Sequence, residues 1–246
     1  MSKKILGVLA AVLFASFVVY AGDAWKDKDF EKWDQKDVDK ILKDSPWSKA
    51  VQYGGGGSGA MESPLSVPGS EAAHSSNGGG SGRNGVSATG SLGASEGMGA
   101  ATSFYVRWYS SRTVREAMAR QREMNGTPAE EARKSLEGEI ETYEVLLQST
   151  NLGAFAKEGE AALKDHSYLM LKSNKDKIAP SKVTIIKGQG DRVAAVQFDF
   201  PRKKDSGEPT LAPGEKGVEF FTKAGTTPLS VSFDLSKMAD KRGADY

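Results

Sequence analysis

The chain has 246 residues, 33 Lys and Arg against 32 Asp and Glu, a formal charge of +1 and no cysteine. Missing thiols exclude disulfides, zinc fingers, iron–sulfur clusters, thiol nucleophiles and a cysteine-linked lipid anchor. The balanced charge, with no long block of one sign, gives no footprint for a nucleic-acid or acidic-membrane partner.

The first 21 residues read as a secretory signal peptide. Lys3 and Lys4 precede an apolar run from Ile5 to Ala21, and Val19 and Ala21 stand three and one residues before Gly22. That small-residue spacing predicts cleavage after Ala21. An uncleaved anchor is the alternative, because the run reaches the lower edge of membrane-spanning length; once cleaved, the chain keeps no stable span. The expected location is therefore periplasmic or extracellular. An exported protein without disulfides has to be held by its own hydrophobic core.

Residues 22–53 carry one strong helix signal. Asp34 is placed to cap a helix with Asp37 at its third position, and Trp33 and Val38 are spaced as a hydrophobic staple. Val38, Ile41 and Leu42 recur on one face, and Ser45 and Pro46 stop the helix. A helix of about ten residues is marginal alone, so Trp33, Val38, Ile41, Leu42 and Trp47 need a surface to cover them. Two readings stand: docking on this chain's own later domain, or presentation to the groove of an envelope protein partner. Asp23, Asp27 and Asp29 are spaced like some metal ligands. Interleaved lysines and the missing Gly and Glu of a calcium loop favour a solvated face.

Residues 54–100 contain 15 Gly and 10 Ser, four charges and no aromatic residue. Such a composition predicts a disordered linker, since it cannot bury enough apolar surface to order itself. Gly-x-Gly-x-x-Gly and Gly-x-Ser-x-Gly patterns occur in it, but neither is flanked by the strand and helix that dinucleotide binding or a nucleophile elbow requires.

Residues 101–246 read as a globular domain. A strand is predicted over Ser103–Ser110, then a helix capped by Ser111 and running to Met124, with Val114, Ala117 and Met118 as its apolar face. Thr127, Pro128 and Glu130 predict a second helix ending near Gly138. A strand over Glu141–Ser149 and a helix over Ala154–Leu163 follow. Further strands are predicted at Tyr168–Lys172, Lys182–Lys187, Arg192–Phe200, Gly217–Lys223 and Leu229–Leu235. Val196, Phe198 and Phe200 alternate with polar residues, as do Val231, Phe233 and Leu235. One face buried and one wet predicts antiparallel pairing. The expected class is α+β: an antiparallel sheet, sandwich or half-barrel, with two or three helices.

Chemistry-bearing residues are sparse. His74 lies in the Gly/Ser tract and His166 at a predicted helix end, so a Ser-His-Asp arrangement has one histidine to draw on. Arg107, Arg112, Arg115, Arg120 and Arg122 cluster in sequence, but a 3.6-residue period and Glu116 and Glu123 predict a solvated face. No catalytic residue, metal site or cofactor is predicted.

The segments Trp33–Val51, Tyr105–Arg120, Gln197–Lys203 and Val231–Met238, separated by a Gly-rich spacer, resemble a group of uncharacterised exported proteins of the acidobacterial type. The resemblance implies export and carries over no functional residue. Asp34 stands where that pattern has Ser or Thr, and either residue caps. The favoured expectation is a non-enzymatic binding or envelope-associated interaction protein. The alternatives are a carrier holding an apolar ligand among Phe198, Phe200, Phe220 and Phe233, and a carboxylate-based hydrolase.

Overall fold

A computed structural model describes residues 22–53 and 102–246. The predicted signal segment and the Gly/Ser tract lie outside the described residues.

In chain order, the first part comprises α1 (Ala24–Asp27), a 3-10 turn (Phe30–Lys32), α2 (Gln35–Lys43), β1 (Ser48–Tyr53), β2 (Thr102–Trp108), α3 (Arg112–Met124), α4 (Ala129–Arg133) and β3 (Thr142–Ser149). The second comprises α5 (Gly153–Glu158), α6 (Glu160–Asp165), β4 (Tyr168–Leu171), β5 (Lys177–Ile178), β6 (Lys182–Lys187), β7 (Val193–Pro201), β8 (Gly217–Ala224), β9 (Thr227–Asp234), β10 (Ala239–Asp240) and β11 (Gly243–Ala244). One sheet has the order β1-β2-β3-β7-β6, a second β5-β4-β8-β9, and β10-β11 is a separate ribbon. Every pairing is antiparallel. The class is α+β, as the alternating strands predicted.

Period-two alternation turns one face of each sheet inward. Val145 and Val183 both stand opposite Phe198, and Leu169 and Val231 both stand opposite Phe220. The rings interlock across the interior: Phe198 meets Phe220 edge-on at 5.0 Å and Trp108 meets Phe233 at 5.3 Å. The two larger sheets therefore share one sandwich core, which also takes in Phe155 of α5 and Leu163 of α6.

Several boundaries differ from the sequence reading. Ser48–Tyr53 is a strand paired with β2 along its whole length, Tyr53 facing Thr102. The segment before the Gly/Ser tract is thus part of the sheet, and the tract joins two neighbouring strands of a hairpin instead of linking two units. Thr127 caps nothing: its N–H closes the end of α3 onto Arg122 O, and extended Pro128 precedes the short α4. The helix predicted over Ala154–Leu163 breaks at Gly159, whose φ of 81° few other residues adopt.

Candidate functional site

The five predicted docking residues are brought together, and all of them face inward. Trp33, Val38, Ile41, Leu42 and Trp47 are at most 3% exposed and join the single hydrophobic core. The reason begins locally. Asp34 and Asp37 form the reciprocal capping box, which starts α2 where the stripe Val38, Ile41, Leu42 faces the chain's interior. Trp47 then packs edge-on against Trp25 at 5.5 Å, and its Nε1 donates to Asp245 O at 2.6 Å. Presentation of these anchors to a partner is corrected by that arrangement: the chain covers them itself.

Of the five arginines predicted to form a solvated face, Arg112 and Arg122 are exposed and Arg120 is half-buried, but the other two depart from it. Arg107 and Arg115 are buried. Arg107 Nε donates to Leu42 O at 2.6 Å, at the carbonyl end of α2, and its guanidinium also holds Gln148 Oε1. Burial pulls the Arg107 pKa down to about 10, so the group stays charged near neutrality. Arg120 Nε donates to Trp33 O at 3.0 Å. Glu123 accepts from both Arg120 and Arg133; burial alone would raise its pKa, but the two arginines together lower it. Arg107 thus ties the end of α2 to β2, Arg120 ties the chain before α2 to α3, and Arg133 ties α4 to α3. Sequence periodicity missed the first two because their partners are backbone carbonyls remote in the chain.

Remaining candidates resolve into structural roles. Asp23 pairs with Lys26 and Lys40, and Asp29 with Lys32 and Lys241. Among the described residues no three His, Cys, Asp or Glu side chains converge as metal ligands. His166 is exposed and stands 3.3 Å from Glu158. Phe198 and Phe200 both pack edge-on against Phe220, Phe233 packs edge-on against Trp108, and all four rings are fully buried.

Two features of the surface carry polar chemistry. The outer face of the larger sheet places Tyr105 opposite Gln148, Leu146 opposite Gln197, and Glu144 opposite Asp199. Burial raises the Glu144 pKa and the facing Asp199 raises it further. These carboxylates stand side by side on a sheet face, not across a cleft.

The second feature is a groove of about 410 Å³ where the edge strand β5 approaches the end of β7. Its walls include Lys177 and Ile178 of β5, Pro201, and Lys203 and Lys204 of the following hairpin; Asp176, Asp205 and Thr210 complete them. Thr210 is 1% exposed and its hydroxyl has no hydrogen-bond partner among the described residues. Sequence reasoning passed over this site. Its signal was the basic run Arg202–Lys204 just before the turn-forming Asp205, Ser206 and Gly207, but lysines in a turn give no hint of a buried hydroxyl beside them.

No family model, curated protein or solved structure matches the chain.

Proposed function

We propose that this is an exported, non-enzymatic binding protein that engages its ligand or envelope partner through the outer surface of a filled sandwich. The observation that supports this most is the packing of Phe198, Phe200, Phe220 and Phe233, each fully buried against other side chains. A carrier of apolar ligands needs an internal cavity lined by such residues, and here the rings fill the space themselves. A hydrolase needs a general acid and base converging on a sheltered reactant. Glu144 and Asp199 are neighbours on an open face, and the exposed His166 pairs with the half-buried Glu158. The export element rests on the charged and apolar pattern of residues 1–21.

Two assays test the reading. The exported protein is expected to leave the fluorescence of N-phenyl-1-naphthylamine unchanged and to hydrolyse neither p-nitrophenyl acetate nor p-nitrophenyl glycosides. Saturable, stoichiometric dye uptake would return the carrier, and turnover abolished by Glu144→Gln would return the hydrolase. The intact mass of the exported chain decides cleavage: a mass retaining Met1–Ala21 defeats it.

A further inference from the structure

We infer that the β10–β11 ribbon, residues 239–246, is an electrostatic clasp that opens as a unit while the sandwich stays folded. The chain is anchored immediately before it, where Leu235 and Met238 are buried in the core. None of residues 239–246 is buried, and Tyr246 is the one side chain among them that packs against the core. Polar contacts hold the rest, and they reach three parts of the fold. Lys241 pairs with Asp29 in the N-terminal segment. Arg242 donates twice to the Glu116 carboxylate of α3, at 2.8 and 3.0 Å. The Asp245 carboxylate accepts from Arg112 N at 2.7 Å and Thr113 N at 2.9 Å, while the Asp245 carbonyl accepts from Trp47 Nε1. Tyr246 O accepts from Arg202 Nη1 at 3.2 Å, next to the end of β7.

That mixture of contacts sets how the ribbon comes off. A segment with little apolar burial and solvent-exposed hydrogen bonds opens locally, well below the free energy of global unfolding. The ribbon also seats incompletely: a cleft of about 240 Å³, lined by Arg112, Asp240, Arg242, Ala244 and Asp245, lies where it meets the start of α3. Salt screens ion pairs between exposed groups, but the packing of Phe198 and Phe220 carries no charge to screen. Ionic strength therefore loosens the clasp and spares the core.

Opening uncovers the first amides of α3 and the indole nitrogen of Trp47 together, because Asp245 covers all three. Val114 N is the internal reference. It belongs to the same first turn but donates to Ser111 Oγ at 3.1 Å, outside the ribbon. Fraying of the helix end would expose Val114 N along with Arg112 N and Thr113 N; release of the clasp leaves it capped. With the clasp open, segment 22–53 stays attached through its apolar anchors and through β1. The ribbon thus adds a salt-controlled fastening to a contact whose apolar part is permanent.

The test is native-state hydrogen exchange on the full exported chain, ¹⁵N-labelled, read by NMR at about 20 mM and about 500 mM NaCl. Arg112 N, Thr113 N and Trp47 Nε1 are expected to share one opening constant, about a hundredfold or more above that of Phe198 N in the central strand β7. That constant should rise about threefold in the higher salt, with Phe198 N unchanged and Val114 N better protected than the three. Asp245→Ala removes the carboxylate but keeps the backbone carbonyl that Trp47 uses. It is expected to speed exchange at Arg112, Thr113 and Trp47 Nε1 alike, by about tenfold, because the three open together. A Trp47 Nε1 that ignores Asp245→Ala overturns the clasp. So does Val114 N exchanging in step with Arg112 and Thr113, and so does an opening constant that equals that of Phe198 N or does not respond to salt.

Discussion

The segment 22–53 and the sandwich formed by β3 to β9 are held by different physics, although they share one core. In the sandwich, strands alternate and neighbouring rings interlock, so the sequence pattern and the buried face coincide. The N-terminal segment is attached by tryptophans and by side chains that reach distant carbonyls: Arg107 to Leu42, Arg120 to Trp33, Trp47 to Asp245. Its final residues then enter the sheet as β1. A segment that looks like a detachable appendage in composition is therefore an edge of the fold.

The largest expected effect breaks the comparison outright. Deleting residues 22–53 strips β2 of its partner strand β1 and uncovers α3, against which α2 packs. The loss should exceed the total stability of a domain, about 5–15 kcal/mol, and abolish cooperative unfolding in urea. A truncated protein with a sharp urea transition would reduce the segment to an accessory. A finer version compares single anchors. Trp47→Ala and Phe220→Ala are each expected to cost about 3–5 kcal/mol in urea denaturation, with tryptophan fluorescence and far-UV dichroism coinciding. Separate transitions for the two probes would make two units of what is here one.

The opposite sign is expected for the connection. Tyr53 and Thr102 are direct partners, so an Asn-Gly pair can close the hairpin in place of residues 54–101. Shortening the loop should stabilise the protein by about 2 kcal/mol, read as a higher urea midpoint at unchanged slope. A true interdomain linker could not be shortened in this way without unfolding one side.

The smallest effect lies on the sandwich's outer face. Burial and the facing Asp199 raise the pKa of Glu144, so its ionised form destabilises the fold near neutrality. Glu144→Gln should therefore gain about 0.5 kcal/mol at pH 7. That gain should shrink as pH falls through the raised pKa and be gone below the ordinary carboxyl pKa, where the side chain is neutral in folded and unfolded chains alike. An advantage that persists in acid would assign the effect to something other than charge.

Legibility followed the range of the interactions. The capping box at Asp34, the stop after α2 and the alternation in β7 and β9 depend on residues a few positions apart, and the sequence contained all of them. Strand β1 was missed because SKAVQY alternates weakly and follows a proline; only β2, beyond the Gly/Ser tract, makes it a strand. The buried arginines were read as solvated because a charged side chain is buried only when carbonyls meet it, and those carbonyls are supplied from far along the chain. The groove was invisible for the same reason: Lys177 and Thr210 are thirty-three positions apart.

By itself, then, the sequence determined the Cys-free composition, the expectation of export, the α+β class, and a set of five apolar anchors that had to be covered. Which surface covers them was decided by tertiary structure, since hydrophobic burial is non-directional and an amphipathic stripe fits its own domain as readily as a partner. Pairing of β1 with β2 settles the matter, because backbone hydrogen bonds are directional and fix the segment in register.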